Sequence, residues 1–577
     1  MRNSENYFLV RDYDIFKQIV VDPNKPTACD TETYTDHGKT TGGLYGKVRL
    51  VQLYQKGWSK AIIIDCMFIR LADVLQLLKP CHLVFHNASY DIHTINCHTP
   101  ETWVPDELDD TFILAKTKYY MHRNFDYYSC LRYAKLEDSV IKAIDKKENQ
   151  KADWGGYLTD TMLSYAACDV TYLLALYEDL CDYKDDTYSL DIRNIKYAAD
   201  YDRNGLPIDQ KLLGRIRQEH VLKLEEAMAK VPAGLNINSS KQCALWLGLK
   251  ATDADTLANE ALNGNKDAQT LLHARKASKI LNFVEKYDNP RMYAFHSACG
   301  ARTSRMTCSG GDRYWYDNLQ QPPRTLYQTF RATPGHKLVY ADFSGLELRM
   351  VGAYVGEPEI AKLFKEGIDV HTRTGAFLYD CTEEELREVQ RWSAKMVSFT
   401  TIYGGGSVTV QGIMQKQGGK KVNVGEVKEL QKRWLELYSY IREWHKMHGR
   451  ALQVYGYVDT VTLLGRKIRA TTYTESFNFP IQGSGAEVLK KSIDNLYSYG
   501  EDPKIANVVH DSITLEHPEG AVAELWGKRL EESMAKGWAE VVQNSAIPDM
   551  PMKIDVVVSD VMGVKDGATY DYGVSEL

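Results

Sequence analysis

Three segments of the chain place carboxylates where a hydrolytic centre could form. Asp30-Thr31-Glu32-Thr33 follows a short apolar run. Side chains two apart on a strand share a face, so Asp30 and Glu32 can address one site. Asn87-Ala-Ser-Tyr-Asp91 follows the strand-like Leu83–His86, and Tyr165-Ala-Ala-Cys-Asp169 reads as helix. A spacing of four stacks Tyr165 and Asp169 on one helix face. Four converging carboxylates repel one another unless something compensates them. Two divalent cations would do so, and would activate a water and stabilise the departing oxygen of a phosphodiester. Hard oxygen ligands favour Mg²⁺ or Mn²⁺. Taken singly, each acid fits a surface residue or a helix cap equally well. The ordered set of strand, strand and helix is what points to a centre.

A second pair of acids stands further on. Asp342 ends the strand-like Lys337–Asp342, and Asp511 in His510-Asp511-Ser512 follows the strand-like Ile505–Val509. Aspartates at two strand ends suggest a second two-metal site, although a His-Asp dipeptide alone is weak. Between them, Arg391, Lys395, Phe399 and Tyr403 recur every four residues, and Gly404-Gly405-Gly406 ends the run. Each step of four drifts by about 40° on a helix, so these side chains form a slowly winding stripe. Arg suits bidentate phosphate contact, Lys supplies a point charge, and an aromatic ring stacks on a base. An amphipathic packing helix would leave the same stripe.

The elements that must position these residues are legible in outline. The first ~185 residues alternate short strands with helices, which reads as α/β. Thr27–Asp30, Val48–Tyr54 and Ala61–Asp65 are strand-like, and Leu71–Leu78 is helical. The acidic Tyr183–Asp186 suits a surface junction. After Asn204-Gly205-Leu206-Pro207 the pattern becomes helical, with one helix expected over 209–231 and mostly helix to about 290. A loop-rich, Arg-rich stretch, 296–324, precedes the strand that ends in Asp342. Long helical patterns fill 355–450. Gly465 divides the strand-like Tyr457–Leu464 from Arg466–Tyr473. A helix near 519–543 and a strand Lys553–Val558 close the pattern, so distant strands should share one sheet.

Composition narrows the class. The chain has 577 residues, enough for several domains. No apolar stretch approaches the ~18 residues of a membrane span, and the first residues lack a signal-peptide core. The eleven cysteines are scattered with no C-x-x-C pair, which disfavours a zinc knuckle or a disulfide framework and suits a reducing cytoplasm. Lys+Arg of 70 against Asp+Glu of 77 gives −7, a poor sign for a polyanion binder. Yet the cations gather locally, at Arg302, Arg305, Arg313, Arg324 and Arg331, at Lys416, Lys420 and Lys421, and at Arg466, Lys467 and Arg469. Local phosphate contacts, not the total charge, set electrostatic affinity for nucleic acid. A basic cleft in an acidic surface is therefore expected.

Two resemblances join these observations. The acid set, with Tyr at the third segment, resembles the DEDD 3'-5' exonucleases. That resemblance implies Asp30, Glu32, Asp91 and Asp169 as metal ligands, Tyr165 as the residue orienting the attacking water, and a supporting role for Asp110-Thr111. The segments DFSGLELR from Asp342, RWSAKMVSFTTIYGGG from Arg391 and VVHDS ending at Ser512 resemble motifs A, B and C of family A DNA polymerases. Thr303-Ser304-Arg305 with Asn318, Gln320 and Pro322, Gly456–Thr460 with Gly465-Arg466, Asn478–Gln482 and Asn236–Gln242 resemble further conventional stretches of that family.

The resemblance implies an RNase H-like α/β exonuclease domain over 1–190, followed by an α+β right-hand polymerase domain over 191–577. Its thumb would be about 205–290, its palm about 291–354 and 476–577, and its fingers about 355–475. Asp342 and Asp511 would be catalytic metal ligands, with two Mg²⁺ or Mn²⁺ per active site. Arg391, Lys395, Phe399, Tyr403, Glu347 and His371 would bind the dNTP, with Lys395 able to protonate pyrophosphate and Glu347 excluding a 2'-hydroxyl. Arg305, Asn318, Gln320, Arg466, Asn478, Gln482 and His510 would contact DNA. Phe399, where relatives carry Phe or Tyr, implies discrimination against dideoxynucleotides.

Implied partners are primer-template DNA, dNTPs and replisome proteins such as a helicase-primase or single-strand binding protein, with no membrane and a monomeric enzyme. The compact chain resembles a bacteriophage replicative enzyme, with no 5' nuclease domain and no large thumb insertion. Several positions depart from the family pattern: Ser512 stands where an acid usually follows His-Asp, Ser304 replaces Gly, Gly345 replaces Gln, and Ser398-Phe399-Thr400 replaces Asn-Phe-Gly. Two other readings compete. A nuclease whose second domain only binds DNA is opposed by Asp342, Asp511, Arg391 and Lys395. A single-subunit RNA polymerase is opposed by the exonuclease acids and Glu347.

Overall fold

The structure is a computed structural model that describes residues 5–35, 46–136, 152–310, 317–418 and 422–563. Arg313, Lys420 and Lys421 lie outside the described residues, and so does the side chain of Lys416.

The N-terminal part is built on a six-stranded mixed sheet in the order β1-β4-β3-β2-β5-β6. Its strands are β1 (Tyr7–Val10), β2 (Thr27–Tyr34), β3 (Lys47–Gln55), β4 (Ala61–Asp65), β5 (His82–Phe85) and β6 (Glu107–Asp110). Antiparallel β3 links β2 to β4, while β2, β5 and β6 run parallel. β3 is buried from Val48 through Leu53, with Arg49 and Gln52 interrupting its apolar run and Arg49 paired with Asp65 at 2.8 Å. The helix Asp160–Leu180 lies across β2, β3 and β4. It buries Leu163, Ala166, Val170, Leu173 and Leu174, a helical repeat that faces the sheet. Leu50, Leu53, Ile63, Val84 and Phe85 complete this core.

The C-terminal part is centred on a four-stranded antiparallel sheet, β14-β15-β11-β16. Its strands are β11 (His336–Phe343), β14 (Ile505–Val509), β15 (Ser512–Pro518) and β16 (Ile554–Ser559), so segments some two hundred residues apart are indeed neighbours. The helix Ala521–Val542 covers this sheet and packs against the 25-residue helix Tyr473–Tyr497. The two helices touch where a Cβ on Gly537 would lie 2.5 Å from Ser492 Oγ, which only glycine permits without a shift. Two long helices, Gln210–Met228 and Lys266–Lys286, pack together over a small core of their own around Leu257 and Leu271. The helices between 358 and 455 gather around Trp434 and Tyr438, and Trp434 Nε1 donates to Ser398 Oγ at 2.9 Å. The remaining strands form three short antiparallel pairs: β7 (Leu206–Pro207) with β8 (Arg291–Met292), β9 (Phe295–Ser297) with β10 (Thr307–Ser309), and β12 (Val458–Val461) with β13 (Lys467–Ala470).

One helix, Asp186–Tyr201, joins the two parts, and the expected division at 190/191 falls inside it. It packs on helices of the N-terminal part and on Tyr473–Tyr497 of the C-terminal part. Its Asp191 is fully buried and accepts from Arg466 Nη2 at 2.6 Å and Lys490 Nζ at 2.5 Å. Lys490 also donates to the Ser304 carbonyl at 2.7 Å. Burial alone would raise the Asp191 carboxyl, but Arg466 and Lys490 outweigh it and hold it below the ordinary aspartate range. A second buried carboxylate, Asp202, accepts from His296 Nδ1 at 2.6 Å and lies 3.3 Å from His93 Nδ1.

Asp191→Ala leaves two buried cations without their partner. It is expected to destabilise the fold by about 3–5 kcal/mol, read as a fall in the urea midpoint of unfolding.

Candidate active sites

The first site opens at the end of β2. Asp30 and Glu32 lie on one face of that strand, and Asp169 comes from the helix Asp160–Leu180. Carboxylate oxygens of Asp30, Glu32 and Asp169 lie within 4.8 Å of one another. Asp91 stands on the helix Ala88–Asn96, is buried, and accepts the Thr31 hydroxyl at 2.7 Å. It lies outside that tight trio yet within electrostatic reach of Asp30 and Glu32. The supporting role of Asp110 is concrete. Its carboxylate accepts the backbone N–H groups of Asn87, Ala88 and Phe112 at 2.8–2.9 Å. It thereby pins the turn, left-handed at Asn87 (φ 69°), that starts the helix carrying Asp91.

The electrostatics fit a cation site. Burial pushes the Asp30 carboxyl up to about 6. Burial raises Glu32, Asp91 and Asp169 as well, and repulsion from the neighbouring acids adds to it. Asp169 Oδ1 is buried with no hydrogen-bond partner, an orphan that a cation would satisfy. This all-oxygen donor set suits Mg²⁺ or Mn²⁺. Tyr165 hydrogen-bonds the Asp169 carboxylate, and Tyr127 donates to the Asp169 carbonyl at 2.6 Å. Sequence reasoning missed Tyr127 and Thr31, because neither carries a local signal for this chemistry.

The second site lies at the ends of β11 and of the β14–β15 hairpin. The hairpin turns at His510-Asp511, with His510 held at φ 49°. This brings the Asp511 and Asp342 carboxyls into hydrogen-bond contact. Burial first, then Asp511, pushes Asp342 up to about 7, and burial raises Asp511 too. Two carboxyls this close disfavour each other's charged form. Asp555 of β16 sits directly opposite Asp342 and adds to the repulsion. No sequence pattern pointed to Asp555; only strand register brings it here.

The stripe faces outward. In the helix Glu388–Ile402, Ser393, Ala394, Val397, Ser398 and Thr401 are buried. Arg391, Lys395 and Phe399 are half-buried or exposed, as is Tyr403 at the C-cap. A packing helix would show the reverse. Arg391 Nη2 donates to Asp369 Oδ2 at 2.6 Å, and its Nε to Thr372 Oγ1 at 2.9 Å. Burial, then Lys395, pulls His371 down to about 4, so it is neutral beside the Phe399 ring, 5.7 Å away. Burial, then the nearby Glu347 charge, raises the Tyr403 phenol, and its buried hydroxyl has no hydrogen-bond partner among the described residues. Arg305 lies 3.6 Å from Glu347 Oε1 and faces Asp511. A chain of contacts thus runs from the stripe to the acid pair.

The expected DNA contacts divide. Asn478 and Gln482, four apart, are the half-exposed face of an otherwise buried helical stretch. His510 is exposed. Asn318 Oδ1 accepts the Gln320 N–H at 3.0 Å, and Gln320 Nε2 donates to the Val508 carbonyl at 3.2 Å. Arg466 is a correction: it is 4% exposed and its Nη2 donates to Asp191, so it is a structural link and not a DNA contact. The free basic cleft is also reduced, since Arg302 pairs with Glu475 and Arg469 with Asp459.

Known proteins carry the same architecture. The sequence profile described as DNA polymerase family A matches residues 211–562, and that of a 3'-5' exonuclease matches residues 7–182. A DNA polymerase I of Aquifex aeolicus is 26% identical over 571 residues, covering 90% of this chain and 94% of that protein. A DNA polymerase I of Pseudomonas aeruginosa is 25% identical, covering 84% of this chain and 57% of its own length. The chain therefore spans little more than half of some of these relatives. The POL domain of Pol1 from M. smegmatis, solved in complex with DNA primer-template and dNTP, superposes with a TM-score of 0.71 at 19% identity, over 93% of this chain and 95% of that one. Fold and acid centres together define an enzyme with a nuclease part and a polymerase part. The chain belongs to DNA polymerase family A, with a 3'-5' exonuclease domain ahead of the polymerase.

The raised carboxyls predict how a cation and pH interact. Acids whose folded pKa lies above the unfolded value bind extra protons when folded. Without added cation their contribution to stability is therefore lost as pH rises from about 4 through about 7. A divalent cation must displace those protons, so it stabilises the deprotonated form. Mn²⁺ is expected to raise Tm by about 2–5 °C at pH 8 and far less at pH 5.5, read by differential scanning fluorimetry.

Proposed function

We propose that the second site extends a primer 3'-OH on a DNA template from dNTPs, and that the first removes nucleotides from that 3' end. The observation that carries this reading is the Asp342–Asp511 contact, linked through Arg305, Glu347 and Tyr403 to an outward stripe of Arg, Lys and aromatic side chains.

In this reading the palm comprises about 291–354 and 476–577, the fingers about 355–475, the thumb about 205–290 and the exonuclease domain about 1–190. Asp342 and Asp511 hold two Mg²⁺ or Mn²⁺ ions, and Asp30, Glu32, Asp91 and Asp169 hold two more. Bound divalent cations lower the barrier to attack by the 3'-OH or by water and stabilise the departing oxygen. Arg391 binds the triphosphate once Asp369 releases it. Lys395 binds phosphate and donates a proton to the leaving pyrophosphate. His371, being neutral, donates one N–H to a phosphate oxygen. Glu347, beside Tyr403 and Arg305, fills the space a 2'-hydroxyl would need and so selects dNTPs. Phe399 and Tyr403 flank the incoming nucleotide. Arg305, Asn318, Gln320, Asn478, Gln482 and His510 line the path of the primer-template. At the other site Tyr165, tethered to Asp169, orients the attacking water.

The same reading assigns replisome proteins such as a helicase-primase or single-strand binding protein as partners, a monomeric enzyme and a cytoplasmic setting. The partners and the monomeric state rest on the resemblance, and the setting also on the scattered cysteines. No helix among the described residues is long and apolar enough to cross a membrane. A bacteriophage replicative role finds no support in the relatives named above, which are bacterial.

On primed template with Mg²⁺, Asp342→Ala or Asp511→Ala should cut extension by at least ~10²-fold and leave primer shortening intact. Asp30→Ala with Glu32→Ala should do the reverse. Extension that survives loss of either palm aspartate defeats the assignment. In a ddNTP/dNTP competition, Phe399→Tyr should relax discrimination, because its hydroxyl can replace the missing 3'-OH contact.

A further inference from the structure

Asp342 has a neighbour on each side. β11 lies between β15 and β16, and the residues directly opposite Asp342 are Ser512 on one strand and Asp555 on the other. Directly opposed residues project from the same face of a sheet. On the β15 side that face carries only a hydroxyl. Ser512 Oγ donates to the Val509 carbonyl at 3.0 Å, so it is spent inside the hairpin and does not reach outward. On the β16 side the same face carries the Asp555 carboxylate, half exposed and close enough to Asp342 for their charges to repel.

The position next to His510-Asp511 is where the family pattern usually supplies a further acid, and this chain has Ser512 there. The sheet supplies a carboxylate from the opposite flank instead. Asp555 Oδ1 is paired with Lys553 Nζ at 2.8 Å, but Lys553 is 71% exposed. A solvent-exposed pair of this kind is weak, so Lys553 can yield Asp555 to a divalent cation.

We propose that Asp555 is the third carboxylate of the polymerase centre, holding a divalent cation bound by Asp342 and Asp511 through one of the ion's waters. This rests on the reading of Asp342 and Asp511 as the metal-binding pair. A third negative charge favours loading of the centre before a triphosphate arrives with its own oxygens. Asp555 reaches the site through the edge strand β16, so its contribution is independent of the turn that positions Asp511.

The test is an Mn²⁺ titration of the full chain by electron paramagnetic resonance. It uses an Asp30→Ala, Glu32→Ala background, in which the exonuclease acids no longer compete for the ion. Asp555→Asn, which keeps the shape of the side chain, is expected to weaken Mn²⁺ binding about tenfold. Ser512→Asp added to Asp555→Asn should recover most of that loss, which a merely structural role for Asp555 would not allow. Lys553→Ala should tighten binding. If Asp342→Asn abolishes Mn²⁺ binding and Asp555→Asn leaves it unchanged, Asp555 is only a surface partner of Lys553 and the proposal is overturned. If Asp342→Asn leaves binding unchanged, the reading of the palm site fails and the proposal falls with it. Circular dichroism of each variant separates a local loss from unfolding.

Discussion

Carboxylates that repel one another are the constraint around which this protein is built. Asp30, Glu32, Asp91 and Asp169 are forced together in one place, and Asp342, Asp511 and Asp555 in another. Burial and mutual repulsion raise most of them, so neither group would assemble by its own interactions. The scaffold must supply what the acids oppose. It does so with backbone: strand pairing sets Asp342 against Asp555, a two-residue turn swings Asp511 inward, and a long sheet-packed helix presents Asp169. Each acid arrives on an element whose stability comes from elsewhere. Asp110 shows the principle at small scale, a carboxylate satisfied by three backbone N–H groups that fixes the helix start where Asp91 stands.

The same physics, with opposite sign, ties the two parts of the chain. Asp191 is as buried as any of the site acids, yet its pKa is held down because Arg466 and Lys490 are buried with it. A fully paired buried charge is a specific link, since no apolar substitute would demand the same three elements. Through Lys490 it reaches the Ser304 carbonyl, one residue from Arg305, which faces Asp511. Asp191 and Asp202 are compensated by buried cations and are structural, whereas the acids of the two centres lack such partners and suit cation binding.

Much of the candidate site was legible because its residues recur at short, regular intervals. Asp30-x-Glu32 reflects strand alternation and Tyr165-x-x-x-Asp169 a helical turn, and both stand on the expected elements. The Arg391–Tyr403 stripe was ambiguous by spacing alone, and the burial of the intervening face resolves it. The strands around Asp342 and Asp511 were expected, but β15 between them was not, because Ser512–Pro518 contains charge and a proline and lacks a continuous apolar run. Arg466 read as a DNA contact because it sits in a basic cluster; its buried partner, Asp191, lies 275 residues earlier, and no local pattern joins them.

By itself the sequence determined the chemistry on offer: which acids stand at strand ends and helix faces, which cations and rings share a stripe, and that the chain has two successive centres. These follow from periodicities of 2 and 3.6 residues, which are local properties of the backbone. The tertiary structure alone decided which charges are paired. Clustering gave Arg466, Arg302 and Arg469 to DNA, against the sign of the net charge, and the fold gives them to Asp191, Glu475 and Asp459. It also decided that Asp555 faces Asp342, because strand register across a sheet depends on how distant segments pack and not on any spacing within them.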